Sequence, residues 1–127
     1  MSYLEVKELI GNTLTKIDVD MEQDEITFTC DNGDKYKMYH IQDCCESVII
    51  DDINGDINDL IGSPILIAEE STNENENPFD FTIPEYQESF TWTFYKLATI
   101  KGYVDIRWYG DSNGYYSESV DFEKLKL

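Results

Sequence analysis

The stretch from Glu25 to His40, EITFTC-DNGD-KYKMYH, constrains the fold more than any other part of the chain. Ile26, Phe28 and Cys30 alternate with Thr27 and Thr29, and Tyr36, Met38 and His40 alternate with Lys35, Lys37 and Tyr39. Alternation with period two marks strands that bury one face. Asn-Gly between two such runs is a hairpin signal. A two-residue Asn32-Gly33 loop would set Phe28 opposite Lys37 and mix the faces. A three-residue loop with Gly33 left-handed sets Phe28 opposite Tyr36 and Ile26 opposite Met38. Only that register keeps apolar with apolar, so it is the one predicted.

The same period recurs along most of the chain. TLTKIDVDM places Ile17, Val19 and Met21 on one face, and SVIIDDI reads as a further strand. FTWTFYKLATI and YVDIRWYG flank Lys101-Gly102, where a tight turn would pair Tyr95 with Trp108 and Leu97 with Ile106. DSNG then turns the chain into YYSESVDF, a final strand. YLEVKELIG predicts a short helix stopped by Gly11, and NGDINDLIG a second one ending at Gly62. Pro64 reopens an extended segment, PILIAEE. The Asn/Glu-rich residues 71–86 form an exposed loop. The expected fold is a single α+β domain over residues 1–127, dominated by an antiparallel sheet of about six to eight strands with one or two short helices.

With 127 residues the chain buries roughly two-thirds of its unfolded surface, so it needs no disulfide or metal merely to fold. Glu5 and Glu8 sit where a signal peptide would be basic or apolar, and Ile65–Ala68 is far too short to span a bilayer. A soluble intracellular protein is expected. Net charge is −18, from 27 acidic and 9 basic residues, with Arg107 the sole arginine. Phosphate binding needs Lys and Arg, so nucleic acid and anionic membranes are poor partners. A basic protein surface is the favoured one. The plainer consequence of such charge is solubility.

Residues 39–47, YHIQDCCES, gather the only histidine and two of the three cysteines. His-x3-Cys brings both donors together if the chain coils by one turn. Zinc accepts imidazole nitrogen, thiolate and carboxylate tetrahedrally. The candidate metal shell is His40, Cys44, Cys45 and Asp43. Cys30 lies about 20 Å from His40 along the hairpin, so it is a buried small hydrophobe rather than a ligand. The competing picture is a hydrogen-bonded His40 at the edge of the core beside inert cysteines. Adjacent cysteines close only a strained ring, which argues against a secreted disulfide framework. A cysteine hydrolase would use His40 as base and Cys44 or Cys45 as nucleophile, but no oxyanion-hole motif accompanies them. IDDINGDIND fails as a calcium loop, because aligning Gly55 puts Ile50 and Ile61 at ligand positions. An alternative binding site for a small nucleotide would use Arg107 as a phosphate clamp, with Trp92, Trp108 and Tyr109 for stacking.

At YHIQDCCESVIIDDINGD and TWTFYKLATIKGYVDIRWYGDSNGYYSESVDF the chain resembles a family of small phage and prophage proteins, over most of residues 10–122. The Gln-Asp-Cys-Cys-Glu core, residues 42–46, is its most specific mark, and the family motif falls on His40, Asp43, Cys44, Cys45 and Glu46. The resemblance implies a mobile-element setting, hence the cytoplasm of a host cell. In size and charge the chain is similar to anti-CRISPR inhibitors, including the type II-A kind, which occupy basic channels of effector nucleases. The expectation is a non-enzymatic inhibitor that docks acid on base, with zinc pinning the His40–Cys45 turn. The alternative is a module that sequesters a nucleotide signal in host defence.

Overall fold

The computed structural model describes residues 5–126. Among them are eight strands: β1 Leu14–Val19, β2 Glu25–Cys30, β3 Lys35–Tyr39, β4 Ser47–Asn54, β5 Ile67–Asn73, β6 Ser89–Thr99, β7 Gly102–Ser112 and β8 Asp121–Leu125. They form two four-stranded sheets, in the orders β1-β2-β3-β8 and β4-β7-β6-β5, with every pair antiparallel. The domain is dominated by antiparallel β-structure as expected, but the strands divide between two sheets. The helical elements are single 3-10 turns, Val6–Leu9 and Ile57–Leu60. Each is followed by a left-handed glycine, Gly11 and Gly62, both at φ +88°. Tyr3 and Leu4 of the expected first helix lie outside the described residues.

The β2–β3 hairpin has the predicted register, with Phe28 opposite Tyr36 and Ile26 opposite Met38. Its loop is Asp31-Asn32-Gly33, closed by Cys30 N donating to the Asp34 carbonyl at 2.8 Å. Gly33 has φ +92°, which an L-residue resists. β8 extends the sheet beyond β3 and stacks Phe122 on Tyr36 at 5.4 Å. β1 stops short of its expected face. Met21 is 99% exposed, because Asp20 ends the strand by accepting Asp24 N and Glu25 N on Oδ1.

Sheet two departs from expectation at the β6–β7 hairpin. Its loop is Ile100-Lys101, and Tyr95 faces Ile106 while Leu97 faces Val104. The expected register was two residues off. A two-residue slip leaves every side chain on its own face, so hydrophobic alternation could not detect it. Gly102 is not the turn residue but the partner of Thr99, and a Cβ there would come within 2.9 Å of Asp59 Oδ2. Two further boundaries move. Residues 71–73 belong to β5, and the last strand begins at Asp121, leaving 113–120 as a crossover.

The sheets share one core. Leu14, Phe28, Met38 and Phe122 from sheet one meet Leu97, Val104, Ile106 and Trp108 from sheet two, all buried in one cluster. Cys30 is buried there as a free thiol, as expected. A fully buried side chain of this kind stabilises by roughly 1.5–3 kcal/mol, so the shared core fixes the two sheets as packed layers. The chain passes from sheet one to sheet two through residues 40–46 and returns through 113–120.

Candidate functional site

The two crossovers meet at His40 and Glu46. His40 directly follows β3 and Glu46 directly precedes β4, so the strands fix both ends of the bend. His40 Nε2 lies 2.7 Å from Glu46 Oε2, and Nδ1 lies 2.7 Å from the Ser119 carbonyl of the return crossover. The ring is thus held at both of its nitrogens. The two side chains are 3% and 0% exposed.

Glu46 is the hub of the bend. Its carboxylate accepts from His40 Nε2, Asp43 N, Cys44 N and Gln42 Nε2, the last three at 2.9, 2.9 and 3.2 Å. Burial pushes this carboxyl up, but the donors from His40, Cys44 and Asp43 outweigh it and hold it down at about 2. Gln42 Nε2 also donates to the Glu46 carbonyl at 2.7 Å, and Ile41 N donates to Asp121 Oδ2 at 2.9 Å. The QDCCE run thus curls around its own final carboxylate.

The expected zinc ligands are not brought to one point. His40 spends both ring nitrogens on Ser119 and Glu46, Asp43 contributes its backbone N–H, and Cys44 and Cys45 are bonded to each other at the exposed tip of the bend. Among the described residues no group of three His, Cys, Asp or Glu side chains is arranged to hold a metal ion. The adjacent cysteines therefore do close their small ring, although it staples no distant segments. Sequence reasoning missed Ser119, whose signal is a carbonyl and thus invisible in side-chain chemistry. It also placed Glu46 in the motif without its central role.

The alternative nucleotide residues divide between the two faces of sheet two. Trp108 points into the core with Val104 and Ile106, whereas Trp92, Arg107 and Tyr109 lie on the outer face. There the chain covers them with its own strap, residues 74–88. Phe81 packs on both Trp92 and Tyr109, with ring centroids 4.7 Å apart in each pair. Asn77 Oδ1 accepts Trp92 Nε1 at 3.0 Å, and Gln87 Nε2 donates to the Tyr109 hydroxyl at 2.7 Å. Asn77 and Gln87 pair with each other through both amides. Arg107 stacks over Trp92 and is ion-paired with Asp51 at 2.6 Å and Asp80 at 3.2 Å. The cation expected to clamp a phosphate is thus taken by two carboxylates of the same chain.

Among the described residues no helix is long and apolar enough to cross a membrane. No curated protein and no solved structure matches the chain. Residues 7–122, which hold β1 to β7, both crossovers and the strap, match the family described as Domain of unknown function (DUF7448), and the chain belongs to that family.

Proposed function

We propose that this protein is a non-enzymatic inhibitor of the phage type, which docks its acidic surface on a basic surface of a host-defence effector nuclease. The observation that carries docking is the strap. It is tied down from beneath by Phe81, Asn77 and Gln87, yet it holds Phe79, Ile83 and Tyr86 at 102%, 56% and 84% exposure. Around them stand Glu74, Glu76, Glu85 and Glu88, with no Lys or Arg in the strap. Apolar anchors in a charged rim are the usual anatomy of a protein-binding surface. An acidic rim selects a basic partner and speeds the encounter.

The rest of the surface supports the same sign. Five of the nine Lys and Arg side chains are ion-paired within the chain: Lys7, Lys16, Lys37, Lys124 and Arg107. Lys101 is turned onto the Ile61 carbonyl. Such pairs contribute little stability, but they leave the excess carboxylates to set the field. A nuclease as the partner follows from the phage-protein resemblance of the QDCCE motif and from the basic channels such enzymes present to nucleic acid.

The test is DNA cleavage by a purified type II-A CRISPR effector nuclease, titrated with this protein. Inhibition is expected at low salt, with association slowing by roughly tenfold or more as screening rises towards 0.5 M. Phe79→Ala with Tyr86→Ala should weaken it by about tenfold or more. Undiminished cleavage at an excess of the protein, with no complex on gel filtration at low salt, would overturn the proposal.

A further inference from the structure

At the foot of the strap, between the inner face of sheet two and the return crossover, runs a groove of about 360 Å³. Its walls carry the carboxylates of Glu70, Glu74 and Glu118 and the hydroxyls of Thr91, Thr93 and Ser117, with no basic side chain among them. Glu74 opens the strap and Ser89, where the strap ends, also lines the groove.

Two groups in this wall bear on its ligand. Glu118 is 8% exposed and accepts from Thr91 Oγ1 at 2.8 Å and Ser112 Oγ at 2.5 Å, yet no described Lys, Arg or His pairs with it. A carboxylate withdrawn from water ordinarily has a countercharge. Thr93 is 2% exposed as a residue and lines the groove, and its hydroxyl, which is not sealed off from solvent, borders that space. A hydroxyl bordering such a space can accept from an incoming N–H donor. The groove therefore offers negative charge and a hydroxyl to one incoming group.

We propose that this groove binds the cationic head of an alkylammonium or guanidinium group, supplied by a lysine or arginine side chain of the docking partner. Charge sign excludes an anion. The described carboxylates do not converge into a metal site, and a hydroxyl-lined space of this volume suits an organic cation with its several N–H donors. Proposed docking is needed only to say who carries the cation; binding in the groove is independent of it.

The full chain, 15N-labelled and in low salt, is titrated with N-acetyl-arginine amide and, separately, with spermidine. Saturable shifts are expected at the Thr91, Thr93 and Ser117 amides, weakened about tenfold or more in Glu70→Gln/Glu74→Gln, whose spectrum also reports that it is folded. Glu118→Gln serves as a second variant and should weaken binding likewise. Tighter binding of the arginine amide assigns the groove to a protein side chain, and tighter binding of spermidine assigns it to free polyamine. Shifts that never saturate and spread over the whole acidic surface, or equal affinity in the variants, overturn the groove. If the nuclease is inhibited while no saturable shift occurs, the groove fails and docking stands. If the shifts saturate while cleavage is unaffected, docking fails and the groove stands.

Discussion

Phe81→Ala should release the strap without unfolding the domain. The ring of Phe81 is half-buried and meets two aromatic partners, Trp92 and Tyr109, at 4.7 Å. Each such pair stabilises by about 0.5–1.5 kcal/mol beyond simple burial. A fully buried phenylalanine adds roughly 1.5–3 kcal/mol, of which a half-buried one keeps about half. Together the substitution should cost the closed strap about 2–4 kcal/mol. At 1.4 kcal/mol per tenfold, even the lower figure raises the open population roughly 30-fold. The strap lies on the outer face of sheet two, away from the cluster that joins the sheets. Its opening is therefore expected to be local, with a small change in Tm.

Trp92 reports on this directly. In a Trp108→Phe background it is the only tryptophan, and its indole sits beneath Phe81 with Nε1 held by Asn77. Acrylamide quenching of its emission should rise sharply in Phe81→Ala, and by less in Phe81→Leu, which keeps apolar cover but loses the ring geometry. The background substitution removes a buried indole N–H that has no hydrogen-bond partner among the described residues, which offsets part of the volume lost. Unchanged quenching in Phe81→Ala would refute the strap as the cover of this face. A collapse of Tm comparable to a core truncation would refute its independence from the core.

Three further outcomes follow from the bend and its neighbours. The Glu46 carboxyl is held at about 2 in the folded chain against an ordinary 4.5, so its contribution is present above about pH 4.5 and lost as pH falls through about 2. The Tm gap between wild type and Glu46→Gln should therefore be widest near neutrality and close between those limits; a gap independent of pH would refute it. Burial pushes the Cys30 thiol up, so the native protein should resist thiol reagents. Unfolded without reductant it should show one thiol, and three would disprove the Cys44–Cys45 bond. Gly110→Ala should cost about 1–3 kcal/mol in urea unfolding, because its Cβ would lie 2.7 Å from the Glu118 carbonyl. An unaltered urea midpoint would show that the return crossover does not rest on β7.

What the sequence discloses here depends on how far apart in the chain the cooperating groups lie. The β2–β3 register was legible because loop length and face alternation agree, and only a three-residue loop satisfies both at Phe28 and Tyr36. At the β6–β7 hairpin the alternation fits two registers equally, because a slip of two residues leaves every side chain on its own face. The bend at 40–46 shows the same division. Its residue types were visible as a soft-ligand cluster, and a metal was the economical way to join an imidazole with two thiols. The fold offers another. The return crossover presents the Ser119 carbonyl to one side of His40, and the start of β4 fixes Glu46 on the other, so both ring nitrogens are used before any third ligand could share them. A local motif fixes which side chains are near one another; the distant segment that docks on it decides which of their lone pairs and protons remain free. The same holds for Arg107, which stands in the sequence as a solitary cation among aromatics and in the fold as the anchor of a strap begun thirty-three residues earlier.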